Sequence, residues 1–319
     1  MGIAMKYGEG RGAEATTDEV LDGVRMDGKH VLVTGGTGGL GLETARALGS
    51  VGASLTITGR SQDKLDAAVA TLAEQVPGAS VRPVILDLAS LASIKTGAQE
   101  ILDGDAIDVQ INNAGVMMCP LGRTADGFEM QTGTNHLGHF AMSGQIRDAL
   151  ADDARVVSVS SAAHLRGTVD LDDLNWHSRD YDKFEAYSQS KTANIWFASE
   201  LQRRYPDVLA ASLHPGAIVT DLGRHLDADD IAEMQEKAKA SGGAPMTFKS
   251  IPQGAATSVW AATSPELVGH GGAYLADCHV VPAMEEAYDP RVGYAPWAID
   301  AAGAAQLWEQ SLELTGVDY

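Results

Sequence analysis

Short apolar runs alternate with longer helical patterns along most of the chain. HVLVT (30–34), SLTIT (54–58), SVRPVIL (80–86), IDVQIN (107–112), ARVVSVS (154–160) and VLAASLH (208–214) have the length and β-branched content of buried strands. Between them lie stretches with apolar residues at helical spacing. These open at a glycine-rich turn near residue 39, at about Gln62, at about Leu91, ahead of residue 154, and around AYSQSK (186–191). Strands that are apolar throughout and alternate with helices predict a parallel sheet of about seven strands, doubly wound, with helices on both faces. Residues 221–250 interrupt the rhythm with a charged helical pattern ending in a glycine–proline turn, as expected of a lid. Residues 1–27 read as a lead-in, and 28–319 as a single α/β domain.

Composition narrows the partners. The 319 residues are 45% hydrophobic, enough for a large core, and carry a formal net charge of −20. Such a surface repels nucleic acid and anionic lipid. No apolar run reaches the roughly 18 residues of a membrane helix. No signal-peptide core opens the chain. The two cysteines, Cys119 and Cys278, are too few for a disulfide framework, so reduced thiols in a cytoplasmic protein are expected.

TGGTGGLG (34–41) joins the first strand to a helix. Glycines at 35, 38, 39 and 41 let the backbone turn sharply and approach a pyrophosphate, and the helix N-terminus supplies free N–H groups. Thr37 and Leu40 complete that loop. Where an NAD enzyme places a carboxylate at the end of the second strand, this chain reads Thr58-Gly59-Arg60. An arginine there suits a 2′-phosphate, which favours NADP(H), with NAD(H) the alternative and a solvated loop residue the bland reading of Arg60. Lys64 is placed to assist or to face water.

Tyr187 and Lys191 lie four residues apart on one helix and share a face. A free phenol, with pKa ~10, is a poor proton donor near neutrality. An adjacent ammonium is expected to lower that value. His136 and His139 share a helix face but have no accompanying ligand set, so a metal is not expected. Met117, Met118 and Cys119 suit an apolar wall better than a nucleophile.

The T-G-x-x-x-G-x-G turn, NNAG (112–115), VSVSS (157–161), AYSQSK and HPGAIVT (214–220) stand in the order and at the strand ends seen in the short-chain dehydrogenase/reductase family, a Rossmann-type fold. NNAGVMMCP, TADGFEM, NHLGHF, DCHV (277–280) and QLWEQS (306–311) resemble the retinol-dehydrogenase branch, also similar to WW-domain oxidoreductases and protochlorophyllide reductases. The likeness spans about residues 28–316.

The resemblance implies an NAD(P)-dependent oxidoreductase interconverting a lipophilic alcohol and its aldehyde or ketone. Tyr187 would be the general acid/base, and Lys191 would bind the nicotinamide ribose. Ser161 would hold the substrate oxygen, with Ser160 the alternative register. Asn135 would kink its helix and hold a water against Lys191, or satisfy buried backbone groups. Asp87, with Leu88 beside it, would meet the adenine, or cap the following helix. Asn113, Ala114 and Gly115 would line the adenosine ribose. Pro215, Gly216, Ile218 and Thr220 would orient the nicotinamide carboxamide.

Ser161 and Tyr187 are 26 residues apart, about twice the spacing of simpler members. The extra segment contains His164, Trp176 and His177, expected to be packing or surface residues. Leu222, Leu226, Met234, Met246 and Phe248 are candidates for an apolar cover over the substrate. Two rival functions remain. An extended-type sugar epimerase would show a different glycine spacing and a sugar domain. A non-catalytic NADPH-sensing or scaffolding protein tends to lose the serine, tyrosine or lysine, all kept here. Relatives form dimers or tetramers, so a homo-oligomer is compatible with the family.

Overall fold

The apolar runs predicted as strands split their side chains between two cores. In β1 (His30–Thr34), Val31 and Val33 enter one buried cluster and Leu32 enters another, because successive side chains of a strand point to opposite faces. Helices must therefore cover both sides of the sheet. The computed structural model describes residues 12–227, 229, 230, 232, 236, 247–284 and 293–319.

The other strands are β2 (Ser54–Gly59), β3 (Val81–Ile85), β4 (Ile107–Asn112), β5 (Leu150–Val159), β6 (Leu209–His214), β7 (Ala217–Ile218), β8 (Phe248–Lys249), β9 (Tyr274–Ala276) and β10 (His279–Val280). Eight of them form one sheet in the order β10-β9-β6-β5-β4-β1-β2-β3, while β7 pairs with β8 apart from it. Pairing is parallel except for β9–β10. The six strands read from apolar runs are all present, and β9 supplies the seventh. The antiparallel β10 adds an eighth at the edge, beyond the expected seven. It is two residues long and carries no periodic signal.

The principal helices are α1 (Thr17–Val20), α2 (Gly39–Ser50), α3 (Gln62–Gln75), α4 (Leu91–Leu102), α5 (Met130–Thr132), α6 (Gly138–Gln145), α7 (Lys183–Arg204), α8 (Ile251–Thr263) and α9 (Ala301–Thr315). On one face, buried residues of α2, α3 and α8 pack on Val31, Ile57 and Ile111. On the other, Ile94 of α4 and Met142 of α6 meet Leu32, while Phe197 of α7 and Trp308 of α9 stack at 6.0 Å. The lead-in folds back onto the body, since Val20, Leu21 and Met26 belong to the first cluster.

The reversal of strand order lies between β1 and β4, so their C-terminal ends open the crevice where ligands bind in sheets of this kind. Among the described residues, no helix is long and apolar enough to cross a membrane. In the excursion, Leu222 and Leu226 are described near its start and Phe248 at its end. Met234 and Met246 lie outside the described residues.

Candidate active site

The crevice is held open by a staple between two strand ends. Thr34 is buried, and its Oγ1 accepts the N–H groups of Asn113 at 2.9 Å and Ala114 at 3.0 Å. The Asn113 side chain returns an N–H to the Thr34 carbonyl at 2.9 Å. The loop that follows needs its glycines. Gly35 has φ 65°, and a Cβ on Gly41 would collide with the Gly35 carbonyl oxygen. A Cβ on Gly38, at the mouth of α2, would meet nothing within 4 Å. The loop thus leaves open space at the mouth of α2, where the first N–H groups of a helix have no intrahelical partner.

Some of the other predicted cofactor residues adjoin that loop. Gly59 abuts Thr37, which sets the exposed Arg60 beside the loop. Thr220 lies against Gly39, its methyl 3.5 Å from where a Cβ would stand. Leu88 is buried and packs under Gly138. Pro215 is buried, Gly216 has φ 101°, and Ile218 is held in β7. Asp87 does not cap α4. Ser90 does so, and the Asp87 carboxylate instead accepts the N–H of Ala89 at 3.0 Å. The cap lies three residues further on because the turn 87–90 intervenes before the helix begins.

Behind the loop, α7 carries Tyr187 and Lys191. Asp182 caps this helix by accepting the N–H groups of Phe184 and Glu185. Both functional side chains are buried at 3% exposure, with Lys191 Nζ 5.6 Å from the Tyr187 ring centroid. Lys191 donates to the Val159 carbonyl at 2.9 Å. The two serines separate cleanly. Ser160 turns inward and donates to the Lys191 carbonyl at 2.7 Å, whereas Ser161 stands beside the Tyr187 phenol.

Asn135 sits in a π-helical turn, Gly133–Leu137, between α5 and α6. Its side chain takes both backbone groups of Val116, at 2.8 and 2.9 Å, and donates to Ser190 at 3.0 Å. It is therefore a satisfied buried amide. Gly115 lies between Asn135 and Lys191: a Cβ there would stand 3.0 Å from Asn135 Oδ1 and 3.8 Å from Lys191 Nζ.

The sequence expectation for the Tyr187 pKa has the wrong sign for this structure. Burial pushes the phenol up to about 12, only partly countered by the Ser161 hydrogen bond. Burial likewise draws Lys191 down to about 8. The ammonium four residues along α7 is expected to lower the phenol, but loss of water penalises both charged forms.

One side of Tyr187 is apolar. Met118 and Phe184 are buried against it, with Met117, Ala163 and Leu226 packed around. Cys119 is buried, and its thiol is pushed up to about 11 by burial and by Glu129, so it is no thiolate nucleophile near neutrality.

Sequence reasoning missed several supporting residues. His139 donates from Nδ1 to the Asn135 carbonyl at 2.9 Å, and its Nε2 lies 2.8 Å from Thr34 Oγ1. It thereby links the π turn to the β1–β4 staple. Its position four residues after Asn135 was the available signal. His136 meets Ser311 at 2.9 Å instead. Lys249 and Asp277, both largely buried, pair at 2.6 Å beside Gly216, a contact with no local signature.

A family model described as short chain dehydrogenase matches residues 29–231. The chain belongs to the short-chain dehydrogenase family. Short-chain dehydrogenase/reductase prx1 of Penicillium roqueforti is 37% identical over 319 residues, covering 96% of this chain and 92% of that protein. Retinol dehydrogenase 14 of Homo sapiens is 39% identical over 310 residues, covering 92% and 88%. A crystal structure of an uncharacterised protein from Mycobacterium paratuberculosis matches with a TM-score of 0.70 at 35% identity, over 92% of this chain and 96% of that one. The protein is thus a short-chain oxidoreductase with retinol-dehydrogenase-like relatives, as the sequence motifs implied.

Proposed function

We propose that this protein interconverts a lipophilic alcohol and its aldehyde or ketone, using NADP(H) in preference to NAD(H). One observation carries the reading. The Tyr187 hydroxyl has Ser161 close by and Lys191 beside its ring, and is walled by Met117, Met118, Phe184 and Leu226.

The glycine cradle at 35–41 and the exposed guanidinium of Arg60 suit a dinucleotide carrying a 2′-phosphate. When bound, the nicotinamide supplies or accepts a hydride. The protein's own residues handle the proton. A phenol kept protonated across the neutral range is loaded to donate to a carbonyl oxygen as that oxygen gains charge. Ser161 adds a second donor to the same oxygen. Lys191, from the next turn of α7, orients the nicotinamide ribose and favours the phenolate left after donation. In the oxidising direction, Tyr187 removes the hydroxyl proton. The methionine–phenylalanine wall selects an apolar group on the substrate.

The test is NADPH absorbance with a panel of aryl and long-chain carbonyls, repeated with NADH. Turnover with NADPH exceeding that with NADH supports the reading. Tight NADPH binding without turnover on any carbonyl would replace it with a sensing role.

A further inference from the structure

The turn Ser161–Ala162–Ala163–His164 is held at three of its backbone polar groups by residues from distant parts of the chain. The Ala162 N–H donates to His214 Nδ1 at 3.1 Å. The Ala163 carbonyl accepts from Ser188, the neighbour of Tyr187, at 2.7 Å. The His164 carbonyl accepts the indole N–H of Trp297 at 2.9 Å.

At the centre is the His164 ring, which is fully buried. Its Nδ1 lies 2.7 Å from the Ser161 carbonyl, and its Nε2 accepts the N–H of Ala295 at 3.3 Å. A carbonyl can only accept and a backbone N–H can only donate. The ring is therefore the neutral tautomer protonated on Nδ1. The Tyr274 hydroxyl, 3.3 Å from the same nitrogen, shares that hydrogen as an acceptor.

We infer that His164 is a positioning residue for Ser161, fastening the serine turn to the wall formed by Tyr274 and residues 294–297. This rests on the proposed role of Ser161 as donor to the substrate oxygen. The Ser161 hydroxyl already accepts the Ala163 N–H at 3.1 Å, so its direction depends on the geometry of this turn. Without the ring, the Ser161 carbonyl loses its side-chain donor and the wall loses its anchor. Leu165, Met284, Ala295 and Trp297 pack together just beyond, so displacement of one carries to the others. From the sequence, His164 reads as a packing or surface residue. Burial holds its pKa down to about 4, so the tautomer persists across the neutral range.

The test uses three variants of the full chain. His164→Leu removes both hydrogen bonds. His164→Asn keeps a donor near the Nδ1 position. Trp297→Phe removes the indole donor without touching the ring. Expected are a kcat for His164→Leu lowered roughly 10- to 100-fold, KM within a few-fold of the parent, and unchanged NADPH binding. His164→Asn should recover most of the loss, and Trp297→Phe should show a smaller drop. In alcohol oxidation, the apparent pKa of the rate should rise in His164→Leu, because Tyr187 loses a well-placed Ser161, and should return in His164→Asn.

Parent-like kcat in His164→Leu would overturn the inference. So would an asparagine variant as slow as the leucine variant while folding and binding NADPH normally. A parent that turns over no carbonyl would count against the proposed function instead. Nitrogen-15 NMR of the histidines then judges the inference by itself. A proton on Nδ1 of His164 supports it, and a proton on Nε2 overturns it.

Discussion

Ser160 and Ser161 are neighbours in the chain but serve opposite sides of the strand end. Ser160 donates its hydroxyl to the carbonyl of Lys191 at 2.7 Å, and Ser161 instead stands beside the phenol of Tyr187. Both follow the end of β5, where extended backbone sends successive side chains to opposite sides. Ser161→Ala is expected to lower kcat by roughly 10²- to 10³-fold, the cost of losing one donor to a developing oxyanion. Ser160→Ala should leave turnover within a few-fold and cost about 1 kcal/mol of stability, read by urea denaturation. Equal kinetic losses in the two variants would reverse the assignment.

Tyr187→Phe removes only the hydroxyl from a ring packed against Met118 and Phe184. NADPH affinity should stay within a few-fold, and turnover should fall by roughly 10²- to 10⁴-fold. Fluorescence titration and steady-state rates on the same preparation check both halves. Because burial holds this phenol near 12, the base form is scarce at neutrality. Alcohol oxidation should therefore accelerate as pH rises from 7 to 9, while carbonyl reduction should not.

Arg60 is exposed at the end of β2 and makes no ion pair among the described residues. Arg60→Asp would set a carboxylate against a 2′-phosphate. The ratio of kcat/KM for NADPH over NADH should fall at least 10-fold. An unchanged ratio would mean that the guanidinium faces only water.

Four strongly depressed histidines make the fold sensitive to acid. Burial depresses His136 and His214 to about 3, and His139 and His164 to about 4, against 6.5 in the unfolded chain. Above pH 6.5 both states are neutral and the native fold carries no penalty. Between 6.5 and 4 the unfolded chain binds protons that the native one does not, so stability is lost as pH falls. Each histidine contributes up to about 1.4 kcal/mol per pH unit. Denaturation midpoints at pH 7, 6 and 5 should fall progressively, and His136→Gln should flatten the slope by about one quarter of the share of these four.

The six apolar strands, the glycine turn after β1 and the shared face of Tyr187 and Lys191 were legible in the chain. Each rests on periodicity or steric needs within a few residues. Asp87 shows where local reasoning slips, because a turn between β3 and α4 moved the cap to Ser90. The two-residue β10 was too short to carry a pattern.

Tertiary structure decided what depends on depth and distant partners. The direction of the Tyr187 shift follows from its being 3% exposed, and no spacing along α7 encodes how much water a fold removes. That Ser160, and not Ser161, reaches the Lys191 carbonyl follows from which way the end of β5 faces α7. His164 acquires its role from Tyr274, Ala295 and Trp297, more than a hundred residues away. Local preference acts over one turn or one strand, whereas desolvation and long-range hydrogen bonds exist only once the layers have closed.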